Sequence, residues 1–192
     1  GQLTVADKSY YWLKGLLERQ LPGQSLYMFR SGEGLLTNPD PAIAWAAVAH
    51  FDQPRQAFYG PGMASVFLAQ YAHVQCRPEA ITLARRYLRF NIEGTEKQFT
   101  DVDSVQACKF GWGLATLYRA APSDDLHEWL ALMTQWFIDR QDPEGWWGTS
   151  RFADSNPSYA DRLVKTSEHL LELNSLISAL SAEVSTGGKE VP

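Results

Sequence analysis

The chain has 192 residues, 45% of them hydrophobic and 20% charged, which is enough for one domain with its own core. A net charge of −5 offers no basic face to a polyanion, which argues against nucleic-acid binding. No run of about 18 apolar residues occurs, which argues against a membrane span, and no signal peptide is visible.

The two cysteines, Cys76 and Cys108, show neither CxxC nor Cys/His spacing. A cytoplasmic protein with free thiols, no metal and no cofactor is therefore the expectation. Aromatic residues reach 12%, with 7 Trp. That surplus fits either dense helix packing or a cavity for an apolar or sugar-like ligand.

Strand signals are scarce and helical periodicity is strong. The first predicted helix, 5–20, stops at Leu21-Pro22-Gly23. A loop-rich stretch, 24–38, leads to Pro39-Asp40-Pro41 and a short apolar helix, "AIAWAAVAHF". After the loop "DQPRQAFYGPG" come an apolar helix, 62–75, and an amphipathic one, 78–92, with Pro78 at its start. Residues 102–120 are again apolar nearly all round, and 124–140 are amphipathic with Ser123 or Asp124 as cap. A last helix is expected over 166–183, and 185–192 read as a disordered tail.

Helices apolar on every side must be buried, and amphipathic ones cover them. The alternation predicts an all-α single domain over 1–184, with N-terminal helices in 1–50 and layered hairpins in 51–183. Tyr71 and Tyr118, and the later aromatics Tyr87 and Trp136, are offset by 47 and 49 residues, a weak hairpin repeat. The longer connections, 93–101 and 141–165, both return from outer to inner helices and so gather at one end. Long loops in a compact domain are usually functional.

Two stretches resemble the α/α-toroid superfamily of terpenoid cyclases and protein prenyltransferases. "WFIDRQDPEGWWG" is similar to the QW repeat of squalene–hopene and oxidosqualene cyclases, through Phe137, Ile138, Gln141, Gly145 and Trp147. In that family the glutamine caps an outer helix and the tryptophan stacks on it. "TDVDSV", 100–105, resembles the DxDD motif of class II cyclases, whose middle aspartate protonates an alkene or epoxide; Ser104 replaces the last aspartate. The resemblance implies about half of an α/α toroid, with Asp103 as the acid.

Asp101 and Asp103 open an apolar inner helix. They can act as cap and dipole partner, or one carboxyl can face an apolar cavity as a general acid. Lys109 lies in the otherwise apolar "ACKFGWG" and either pairs with an aspartate or orients a substrate oxygen. Gly111 and Gly113 flank Trp112 and indicate close packing or space for a ligand. Glu168 and His169 fall in the first turn of the last predicted helix, as caps or as an acid/base pair. Tyr59, Arg55 and Arg151 sit in loops at the same rim. In "QDPEGWWG", Trp147 reads as a structural staple and Trp146 as a wall of the site.

No GxGxxG, Walker A, GxSxG, HExxH or DDxxD-like motif occurs. The leading expectation is a cofactor-free acid–base cyclase, isomerase or lyase of secondary metabolism, acting on a hydrophobic polyene, isoprenoid or polyketide-type molecule. Asp103, Lys109, Glu168, His169 and Tyr59 are its candidate catalytic residues, and Asp101, Trp112, Trp146, Arg55 and Arg151 its candidate substrate contacts. A carbohydrate-active toroid enzyme and a non-catalytic helical binding module are the alternatives. A half ring exposes apolar helix faces, so a homodimer is expected.

Overall fold

Helical periodicity decides most of the chain. The computed structural model describes residues 2–32, 34–100, 107–148 and 156–186. These residues form an all-α protein with a few short strands. No helix among them is long and apolar enough to cross a membrane.

Helix α1 spans Gln2–Glu18. Gln20 closes its end: the amide donates to the Leu16 carbonyl at 3.1 Å and exchanges hydrogen bonds with the Tyr27 backbone. Strands β1 (Ser25–Tyr27), β2 (Arg30–Ser31) and β3 (Gly34–Leu35) follow, the last two forming a small hairpin. The apolar helix expected after Pro41 is corrected. It shrinks to one turn, α2 (Ala44–Ala47), and gives way to strand β4 (Val48–His50). β4 pairs antiparallel with β1, with Leu26 opposite Ala49 and both in the core. Pairing the β1 edge outweighs alanine's helix propensity here.

The next helices follow the predicted alternation. α3 (Gly60–Gln75) is apolar and largely buried, and α4 (Glu79–Ile92) covers it. A single-turn helix, α5 (Lys97–Thr100), was not predicted. Buried Gln98 anchors it through the Asn91 and Thr95 carbonyls, and Trp136 donates to the Phe99 carbonyl at 2.8 Å. α6 (Cys108–Ala120) is the central helix, packed against α3, α4 and α7 (Asp124–Asp139). Ser123 precedes α7 as its cap residue, yet its hydroxyl makes no cap bond and accepts from Arg85 at 2.9 Å.

The last helix, α8 (Tyr159–Thr186), begins earlier than expected and packs on α6 and α7. Ser158 and Asp161 set its start by a reciprocal capping box: the Ser158 backbone donates to Asp161 Oδ2 at 2.8 Å, and the Asp161 backbone to Ser158 Oγ at 3.3 Å. Glu168 and His169 therefore lie in the helix interior and not in its first turn.

The two buried inner helices meet at glycine. A Cβ on Gly62 of α3 would lie 2.1 Å from the Lys109 carbonyl oxygen, and one on Gly113 of α6 would lie 2.8 Å from the Gly62 carbonyl oxygen. Ser65 Oγ donates to the Gly113 carbonyl across this contact at 3.2 Å. The paired glycines of "GWG" thus serve close packing. We expect Gly62→Ala to destabilise the fold by about 3 kcal/mol, since the obstacle is backbone and cannot rotate away. Gly32→Ala, which meets nothing within 4 Å, should stay within about 0.5 kcal/mol of the parent. Urea unfolding of both variants measures the difference.

Candidate functional site

The first turn of α6 faces the third and fourth turns of α8. Lys109 is buried, and its ammonium donates to Glu168 Oε1 and, at 2.6 Å, to Glu172 Oε1. Lys165 donates to the other Glu168 oxygen at 2.6 Å. Lys165, Glu168, His169 and Glu172 fall on one face of α8 through their three- and four-residue spacing. Buried Cys108 joins this face from the start of α6.

Aromatic rings enclose the group. His169 has the Phe137, Trp147 and Trp136 ring centres at 5.2, 5.8 and 6.1 Å. Lys109 Nζ lies 5.6 Å from the centre of the Trp112 ring. Burial therefore acts on every charge, and for some the neighbouring charges outweigh it. It pushes the His169 imidazole down to about 3, with help from the Lys165 and Lys109 charges, so the ring is neutral at pH 7. Burial also raises the Glu172 carboxyl against the pull of Lys109, and raises the Cys108 thiol well above its ordinary value. For Lys109 burial works the other way, but the bonds to Glu168 and Glu172 outweigh it and hold the ammonium above its usual range. For Glu168 the two lysines overcome burial and lower its pKa.

Two atoms in this group are unsatisfied. His169 Nδ1 and Glu172 Oε2 are buried, 3.7 Å apart, and lack a hydrogen-bond partner among the described residues. Buried polar atoms without partners are uncommon and require a cause.

The "QDPEGWWG" turn braces the same place. The Trp147 indole donates to the Phe137 carbonyl at 2.9 Å, closing the end of α7, and the Trp147 backbone donates to Thr166 Oγ1 of α8 at 3.1 Å. Gln141, expected as the cap, instead donates across its own turn to the Gly145 carbonyl at 3.0 Å. Gly145 takes the left-handed φ of 89° that this turn needs. Trp147 is buried and structural. Trp146 is half-exposed, bonded to Glu144, and covered by Arg162 at 4.8 Å from its ring centre.

Of the residues singled out by sequence, the structure gathers Lys109, Glu168, His169 and Trp112. Among the described residues Lys109 pairs with two glutamates and with no aspartate. Tyr59 precedes α3, is half-buried, and its side chain makes no hydrogen bond among the described residues. Arg55 is exposed in the loop before α3 with a left-handed φ of 59°. Asp101, Asp103 and Arg151 lie outside the described residues. Sequence reading missed Cys108, Lys165 and Glu172, although the pattern Lys165-Glu168-His169-Glu172 carried the signal for the α8 face.

Comparison with protein-family models, curated proteins and solved structures found no match. The reading of this site therefore rests on its own geometry.

Two outcomes follow from the charges. Lys109→Met leaves Glu172 buried beside no cation and should cost about 3 kcal/mol in urea unfolding, most of it recovered by adding Glu172→Gln. The unfolded chain protonates His169 below pH 6.5, whereas the folded chain resists until about 3. His169 therefore contributes stability above pH 6.5 that is lost as the pH falls through that interval. The decline in urea midpoint from pH 7 to pH 4 should be shallower in His169→Phe than in the parent.

Proposed function

We propose that the group around Lys109 is the proton-transfer centre of an enzyme that cyclises, isomerises or eliminates on an apolar molecule. The polyene, isoprenoid or polyketide-type compounds of secondary metabolism are the substrate class. The observation that carries the reading is the neutral His169 facing Glu172 through two unsatisfied atoms, 3.7 Å apart, within a ring of aromatic side chains.

In this reading His169, neutral and a weak base, accepts a proton only from a carbon beside a cationic centre of the substrate, whose C–H electron pair then forms the alkene. Glu172, raised by burial, can carry a proton back. Lys109 fixes the Glu172 carboxylate through Oε1. Trp112 and Trp136 supply ring faces for a substrate that becomes cationic. Asp103, five residues before Cys108 in the chain, keeps its proposed role as the initiating acid on the resemblance to class II cyclases.

Membership of the α/α-toroid superfamily belongs to the same proposal. Its support is the layering of buried α3 and α6 under amphipathic α4 and α7. The aromatic enclosure favours an apolar substrate over the sugar of the carbohydrate-active alternative. The gathering of ionisable groups away from water speaks against a purely binding module. For a homodimer, the support is the recurrence of exposed Leu163, Leu170 and Ile177 at intervals of seven along α8.

The test is incubation of the full chain in D₂O with squalene, geranylgeraniol and a linear polyketide thioester, with products read by mass spectrometry. The expected result is a deuterated isomer or ring product from one probe, formed about 100-fold more slowly by His169→Phe. Equal product from the folded variant, or no deuterated product from any probe, overturns the proposal.

A further inference from the structure

We infer that Cys108, His169 and Glu172 form a binding site for one divalent transition-metal ion, with Zn²⁺ as the best match. The site needs no catalysis to exist, and an ion bound there would occupy the His169 and Glu172 atoms that the proton-transfer reading uses, so that step would belong to the metal-free chain.

The three donors converge. Cys108 Sγ, an imidazole nitrogen of His169 and a Glu172 carboxylate oxygen all lie within 4.8 Å of one another, and all three residues are buried. Tetrahedral zinc with ligand distances of about 2.0–2.3 Å has ligand–ligand edges of roughly 3.3–3.8 Å. The His169 Nδ1 to Glu172 Oε2 separation of 3.7 Å falls in that range. These are the same two atoms that the fold leaves buried and unsatisfied. An ion between them would fill both vacant valences at once, whereas the groups that come nearest in the protein, the Lys165 backbone for His169 and the Cys108 thiol for Glu172, leave these two atoms without a well-formed hydrogen bond.

The supporting contacts fit as well. Glu172 meets Lys109 through Oε1 at 2.6 Å, which fixes the carboxylate and leaves Oε2 as a single-oxygen ligand. Sulfur, imidazole and one carboxylate together select zinc-like ions over calcium or magnesium, which prefer oxygen alone. Loss of the Cys108 proton to solvent gives a thiolate which, with the Glu172 carboxylate, neutralises the double charge of the ion. Lys109 and Lys165 then share the charge of Glu168, and Lys109 keeps its hydrogen bond to the outer Glu172 oxygen. Three protein ligands leave one coordination position, the arrangement of zinc sites that accept water or a substrate atom.

The experiment uses the full chain, stripped with a chelator, loaded with ZnCl₂ and desalted before metal analysis by mass spectrometry. The expected result is one zinc retained per wild-type chain, none retained by Cys108→Ser, and one retained by Cys76→Ser, whose cysteine is exposed elsewhere. Cobalt in place of zinc should give a thiolate-to-metal absorption band with wild type and not with Cys108→Ser. Circular dichroism confirms that the serine variants are folded, and serine is close enough in size to cysteine for the core to accept it. If Cys108→Ser fails to fold, protection of the wild-type Cys108 thiol from a maleimide by zinc, under mild urea, serves as the readout. Wild type without retained zinc, zinc retained equally by folded Cys108→Ser, or a thiol that zinc does not protect overturns the inference. None of these results depends on turnover, so failure here and failure of the proton-transfer reading remain distinct.

Discussion

Helices α3 and α6 touch backbone to backbone, because Gly62 and Gly113 place no side chain between them. This approach fixes the depth of α6 in the core. The Lys109 carbonyl is the surface against which Gly62 rests, so the same contact sets the position of the first turn of α6. Everything that faces α8 from that turn, Cys108 and Lys109 above all, inherits its placement from two missing methyl groups. The amphipathic helices α4 and α7 then only have to cover what the glycine contact has already aligned.

The price of that placement is a set of charges with little water. Lys109 lies between Glu168 and Glu172, and Lys165 reaches Glu168 from the same helix. A buried ion pair of this kind gives little net stability compared with an apolar replacement, whereas loss of one partner is severe. The group therefore constrains how α6 and α8 meet more than it strengthens their contact. His169 tolerates the same surroundings by staying neutral, and the Trp147 turn closes the remaining side.

The alternation of apolar and amphipathic segments made the helical layers legible, because burial on every side leaves no polar face to misread. The QW-like turn was legible as a staple, though the indole of Trp147 and not the amide of Gln141 closes the helix. Strand β4 was not legible, since Ala44 to Ala47 favours helix locally and only the distant β1 edge makes extension worthwhile. The start of α8 was missed because Ser158-Tyr159-Ala160-Asp161, a capping signal, sits in a stretch that otherwise reads as loop. Cysteine spacing did not reveal the cluster of Cys108, His169 and Glu172 because spacing registers only neighbours in sequence; Cys108 and His169 approach through the packing of two separate helices.

The capping box at Ser158 and Asp161 has an electrical consequence. At 1.5 Å per residue, Glu168 lies about 14 Å along α8 from Tyr159. The partial positive charge of a helix start fades within its first turn. Backbone amides at that depth are already spent on the preceding carbonyls, so the peptide framework offers nothing to an anion at Glu168 or Glu172. The compensating charge must come from side chains, and two lysines on different helices supply it. A guest anion would have to compete with those carboxylates for the same two ammonium groups.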